Sequence, residues 1–147
     1  MVMTWDTVPI GAETGRAEIV VTDALIDEYL AAMGLDLAWF SKGAAPYDKR
    51  IAPPDMVPKL LMNALFQEYM HREIGNNIRA KQAFVFYVPI PVGTKVTAVG
   101  HLVEKYERRG RRFVTFEALF IDEEGRKLVL DRRTQLVLGE NFNIEKK

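Results

Sequence analysis

The chain of 147 residues has no cysteine. Disulfide frameworks, thiol nucleophiles and thiolate metal sites are therefore excluded. The absence is compatible with a reducing compartment. Histidine is scarce: His71 and His101 are the two present. Neither has a nearby pattern of paired carboxylates, so no metal site and no resident cofactor is expected. An excess of one charge is also missing, because twenty basic and twenty acidic residues cancel. That removes any general attraction to nucleic acid or to an anionic membrane. It also leaves little repulsion between copies, so an oligomer is expected. No apolar run reaches the roughly 18 to 20 residues that span a bilayer. The first ten residues carry Asp6 and no basic cluster ahead of an apolar run, unlike a secretory signal. These absences together read as a cytoplasmic protein with neither a membrane nor a nucleic-acid partner. Internal repeats and low-complexity segments are absent as well.

What is present is apolar: 48% of the residues, enough to argue against disorder and to build one real core. The expected organisation is a single domain over residues 1–147, with the first few residues and 141–147 frayed. Residues 18–21 form a short β-branched run. A helix signal follows, with Thr22 or Asp23 as cap, Leu25, Ile26, Tyr29, Leu30 and Met33 on one face, and Gly34 as the stop. Residues 35–40 suit a second short helical turn. A Gly-, Ala- and Pro-rich loop over 41–54 has Tyr47, Asp48, Lys49 and Arg50 at its centre.

A long central helix should start at Asp55, whose carboxylate suits the cap and the helix dipole. Pro58 lies close enough to that start to be tolerated. The positions that follow are apolar on more than one stripe: Val57, Leu60, Leu61, Met62, Ala64, Leu65, Phe66, Tyr69 and Met70. Such a helix is buried on most of its circumference. Sixteen or so residues give it a length of about 24 Å. Gly75, Asn76 and Asn77 close it. Strand-like runs then follow at 83–88, 94–106, 112–121 and 127–138, with turns at Arg109-Gly110 and 122–125. Antiparallel hairpins are the natural pairing. Gly100, inside the second run, suggests a bulge or bend. The fold class is therefore α+β: one long central helix wrapped by a curved antiparallel sheet.

Particular residues sharpen this reading. Phe86-Tyr87-Val88-Pro89-Ile90-Pro91-Val92-Gly93-Thr94-Lys95-Val96 leads an aromatic strand into a Pro-x-Gly step. Ala52-Pro53-Pro54 precedes the central helix. Phe113-Val114-Thr115-Phe116 runs on to the turn Asp122-Glu123-Glu124-Gly125. In order and spacing, over residues 15–138, these segments resemble the MaoC-like acyl dehydratases and R-specific enoyl-CoA hydratases, which have the hotdog fold. The resemblance implies a single hotdog that pairs as a homodimer, or as a heterodimer with a catalytic hotdog chain. It implies an acyl-CoA or acyl-carrier thioester as ligand, with coenzyme A present only as part of the substrate. Hydration beside a thioester needs a group to move a proton at C2, a group to activate water, and donors for the carbonyl oxygen. The family places an Asp and a His five residues apart in a Gly-Asp-x-Asn-Pro-x-His loop after the early helix, with an amide at the central helix start as donor.

Here that loop reads Met33-Gly34-Leu35-Asp36-Leu37-Ala38-Trp39-Phe40-Ser41. Asp36 is displaced by one position, and Phe40 or Ser41 stands where the His belongs. The lead-in to the central helix also resembles the non-catalytic half of double-hotdog enzymes. Candidate acid/base residues are Asp36, Asp48 and His71. Candidate substrate contacts are Tyr47, the helix start at Asp55 and Met56, and the basic cluster of Arg108, Arg109 and Arg111 beside Lys105 and Arg112. The Arg cluster suits thioester nucleotide phosphates. Each residue also has a plain structural reading: Asp36 as a capping Asp, Asp55 as an N-cap, His71 as a cation at a helix end, His101 as part of a sheet face. Tyr47 and Asp48 suit a solvated loop, and the arginines a solvated hairpin. Three functions stay open: the non-catalytic partner in a hydratase or dehydratase pair, a self-sufficient thioester enzyme with relocated groups, and a polyanion-binding module.

Overall fold

The computed structural model describes residues 5–138. The expected frayed segments, residues 1–4 and 141–147, lie outside the described residues. The chain begins with strand β1 (Glu13–Val20) and helix α1 (Asp23–Met33), followed by the short α2 (Ala38–Ser41). The central helix opens as α3 (Met56–Leu60) and continues through two π-helical segments, Asn63–Gln67 and Met70–Ile74. Strands β2 (Asn77–Phe86), β3 (Lys95–Arg108), β4 (Arg111–Ile121) and β5 (Lys127–Val137) complete one antiparallel sheet in the order β1-β3-β4-β5-β2. No described helix is long and apolar enough to cross a membrane.

Local chemistry explains the borders of α1. The Thr22 hydroxyl accepts the Leu25 amide at 3.2 Å, which satisfies one free donor of the first turn. Gly34 closes the helix at φ 66°, a left-handed conformation that costs glycine nothing. Arg109 (φ 53°) and Gly110 (φ 73°) turn the β3–β4 hairpin with the twist that paired strands require. Two strands depart from the sequence reading. β1 begins at Glu13, five residues earlier than expected, and β2 begins at Asn77, six earlier. Asn77 to Gln82 lies on a sheet edge and alternates only through Ile78 and Ala80, a weak signal among four polar residues.

The core lies between the central helix and the inner face of the sheet. Phe66 packs on Phe116 with ring centroids 5.7 Å apart, and Tyr69 meets Phe116 edge-on at 6.3 Å. Both phenylalanines are fully buried, each contributing about 1.5–3 kcal/mol. The helix sits unusually close to β1 and β3. A Cβ on Gly15 would lie 1.9 Å from the Ala64 carbonyl oxygen, and one on Gly100 would lie 2.8 Å from the Leu65 carbonyl oxygen. Gly100 is thus required for approach of the helix. The nearby bulges fall at Glu13–Gly15 and Leu102–Glu104. The Thr14 hydroxyl donates to the Leu65 carbonyl at 2.7 Å and ties β1 to the helix where its turns widen.

Gly15→Ala should therefore destabilise the fold at the upper end of about 1–3 kcal/mol, the range for forcing extra atoms into a packed interior. Thr14→Val should cost about 1–3 kcal/mol by leaving a buried carbonyl without its donor. Urea denaturation of both variants checks this, and near-wild-type midpoints would rule out the close seat as a stabilising element.

Candidate functional site

An apolar cleft of about 240 Å³ opens beside the start of the central helix. Its walls come from three distant segments. Trp39 and Phe40 come from α2, Tyr47 and Ile51 from the following loop, and Phe86 and Tyr87 from the end of β2. The floor is a backbone crossing. Ala52 donates to the Ile90 carbonyl and Val92 to the Arg50 carbonyl, both at 2.8 Å, which clamps the Pro-rich connection after β2 against the lead-in to the helix. Trp39 donates its indole N–H to the Ala45 carbonyl at 3.1 Å and meets Tyr47 edge-on with centroids 6.0 Å apart.

Arg50 holds this wall in place. Its side chain is buried, and it donates to Asp23 (3.0 Å), to Asp27 (2.5 Å) and to the Phe40 carbonyl. One guanidinium thus fastens α1 and α2 to the loop that shapes the cleft. Burial works against its charge, and the carboxylates of Asp27 and Asp23 outweigh burial and raise its pKa.

Asp55 occupies the expected N-terminal position, but its carboxylate makes no capping hydrogen bond. Two causes are visible. Asp55 has helix-like dihedrals (φ −93°, ψ −2°) where a capping residue is normally extended, and the third helical position, whose amide a cap can accept, is Pro58, which has no N–H. The carboxylate turns instead to Lys59, one turn on, at 2.8 Å. The Tyr29 hydroxyl stands close to this pair. Burial pushes the Asp55 pKa upward, but the ion pair with Lys59, with the Tyr29 hydroxyl nearby, prevails and holds it below the ordinary carboxylate value. Met56 itself is fully buried in the core.

The other candidates do not converge on the cleft. Asp36 is exposed between α1 and α2, and Asp48 is exposed in the loop after them. His71, near the end of the central helix, lines a different cavity with Arg79, Arg133 and Gln135. Arg108, Arg109 and Arg111 crown the β3–β4 hairpin. Strand register sets that hairpin at the opposite end of the sheet: Arg112 pairs with Val137, and Val137 with Asn77, whereas Phe86 at the cleft pairs with Val129. These three arginines form no ion pair among the described residues, while Arg112 pairs with Asp6 and Glu107, each at 3.1 Å. His101 is exposed, in register with Glu13 and Glu117. No group of three His, Asp or Glu residues among the described ones is arranged to hold a metal. Sequence reasoning did not single out Trp39, Arg50 or Arg133. Only the pairing of distant segments reveals them.

The sequence model for the FAS1-like, dehydratase domain region matches residues 9–131. No curated protein matches in sequence. Among solved structures, a monoamine oxidase regulatory protein from Archaeoglobus fulgius superposes with a TM-score of 0.79 at 14% identity, over 92% of this chain and 94% of its own. The C-terminally truncated HadBC (3R-hydroxyacyl-ACP dehydratase) complex of Mycobacterium tuberculosis gives 0.75 at 24% identity, over 88% of this chain and 98% of the matched one. The ChsH1–ChsH2 complex of Mycobacterium tuberculosis gives 0.70 at 12% identity, over 89% and 99%.

The depressed Asp55 pKa fixes the sign of a pH effect. Its ion pair stabilises the helix start above the unfolded value of 3.8 and is lost as pH falls through the lower folded value. Asp55→Asn should lower stability at neutral pH, and the gap from wild type should close below pH 3.8. Urea titrations at both pH values decide this. A gap that stays constant would mean that the charge plays no part.

Proposed function

The chain belongs to the FAS1-like dehydratase domain region family and has the MaoC-like hotdog fold, and from that premise we propose that it is the non-catalytic member of a hydratase or dehydratase pair acting on acyl thioesters. One observation carries the proposal. Where an acid/base pair would have to face the cleft, the chain presents Trp39 and Phe40, and Asp36 lies exposed beyond them. An apolar cleft beside a helix start suits an acyl chain, and no carboxylate or imidazole lines it. In this reading the partner chain supplies the base and activates the water, while this chain shapes the acyl pocket and completes the assembly.

The edge of the sheet supports pairing. β2 bonds to β5 on one side and has no strand on the other. Its exposed apolar residues include Ile78, Val85 and Phe86, and Tyr87 and Val88 continue them. An open apolar edge is an invitation to strand addition. Antiparallel pairing through β2 would bring the Asn77 end of one chain alongside the Phe86 end of the other. The hairpin carrying Arg108, Arg109 and Arg111 would then share a rim with the partner's cleft. There the three arginines suit the phosphates of coenzyme A or of a carrier's prosthetic group, while Tyr47 serves this chain's own cleft. Both matched Mycobacterium tuberculosis structures are named as complexes.

The test is hydration of a panel of 2-enoyl-CoA esters. The chain alone should give no turnover, and adding a hotdog chain with the intact Asp/His loop should restore it. Val85→Lys should abolish that restoration by breaking the edge while leaving the chain folded. Turnover by the chain alone, lost on changing Asp36, Asp48 or His71, would establish a self-sufficient enzyme and overturn the proposal.

A further inference from the structure

At the far end of the sheet from the acyl cleft, a second cavity of about 270 Å³ lies between the end of the central helix, β2 and β5. Arg133 is its buried wall, only 1% exposed, and its guanidinium lies 4.7 Å from the centre of the Phe66 ring. One of its three nitrogens, Nη2, donates to Asp131, itself fully buried. The other two, Nε and Nη1, are buried and have no hydrogen-bond partner among the described residues. The Gln135 side-chain oxygen beside it is unpartnered as well. Buried donors of a charged group are costly to leave unmade.

The lining shows what would satisfy them. Beyond Arg133 it holds Arg79 and His71, the amides Gln67, Asn77 and Gln135, and the thioether of Met70. No carboxylate is among these residues. The nearby carboxylate, Asp131, is already spoken for on both oxygens: Arg133 binds one, and Gln82 donates to the other at 3.1 Å. Gln82 in turn accepts from Arg79 at 2.8 Å, which orients that guanidinium at the mouth. The hairpin arginines Arg108, Arg109 and Arg111 crown the same end of the sheet. Neutral acceptors would satisfy the free donors but would leave the positive lining unbalanced. A small oxyanion does both.

We infer that this cavity is a binding subsite for a small oxyanion, a carboxylate or a phosphate group, received by Nε and Nη1 of Arg133 with Arg79 at its mouth. It is separate from the acyl cleft and does not depend on the thioester reading. Side-chain Nε–H signals of ¹⁵N-labelled protein, recorded during titration, test it. The titrants are sodium phosphate, acetate and succinate, with sodium chloride at matched ionic strength as the control. The expected result is a saturable shift of the Arg133 signal with phosphate or a carboxylate, and none with chloride. Saturation by phosphate alone names a phosphate group, and saturation by the carboxylates names a carboxylate site. Gln135→Glu places a carboxylate beside Arg133 and should weaken binding by about tenfold or more, as should Arg79→Ala. Circular dichroism verifies that both variants fold. A shift that fails to saturate, that chloride reproduces, or that both variants leave unchanged overturns the proposal.

Discussion

The approach of the central helix to β1 and β3 is the constraint on which the rest of this molecule depends. Gly15 and Gly100 leave backbone facing backbone, and the Thr14 hydroxyl bonds the Leu65 carbonyl across the gap. With that contact made, the helix has one depth and one angle. Its first turn then lies beside the Pro-rich crossing that floors the apolar cleft. Its last turn lies over β2 and β5 and roofs the Arg133 cavity. The π-helical turns belong to the same arrangement. They widen the helix around Ala64 and Leu65, where its carbonyls meet the sheet.

Electrostatics divides the two ends. The cleft end is walled by aromatic and aliphatic side chains, and its one buried cation, Arg50, is neutralised by Asp23 and Asp27. The opposite end holds a buried Arg133 with a single carboxylate partner and a rim of exposed arginines. A buried ion pair of this kind stabilises weakly at best, because desolvation offsets most of the attraction. Its weight in this fold lies in orientation: Asp131 and Phe66 fix the guanidinium in the wall of the cavity.

Much of the fold was legible because short-range chemistry decides it. Thr22 and Gly34 bracket α1 through bonds and dihedrals that involve only their neighbours, and Arg109-Gly110 does the same for a hairpin. Other features were illegible for equally physical reasons. The first half of β2 is largely exposed on both faces, so its period of two is written only faintly, in Ile78 and Ala80. The π-helical turns leave no mark in an apolar run that already covers several stripes. Asp55 was misread as a cap because its own backbone is already helical there and Pro58 offers no amide to accept. The site was partly legible. The loop after α1 showed that the acid/base motif was missing, and Tyr47 was placed beside the helix start. Trp39, Phe86 and Arg133 matter only through segments far away in sequence, which periodicity cannot register.

The free edge of β2 ties this protein's fate to its supply. Val85 and Phe86 are each nearly half exposed along a strand with an unpaired row of backbone donors and acceptors. Whatever chain covers that edge, copies made in excess of it carry an uncovered template for strand addition. Such orphans are prone to aggregate or be degraded, so in the proposed pair of unlike chains the amount of working protein is set by the scarcer of two synthesis rates. In that pairing, balanced production becomes a requirement written into one strand.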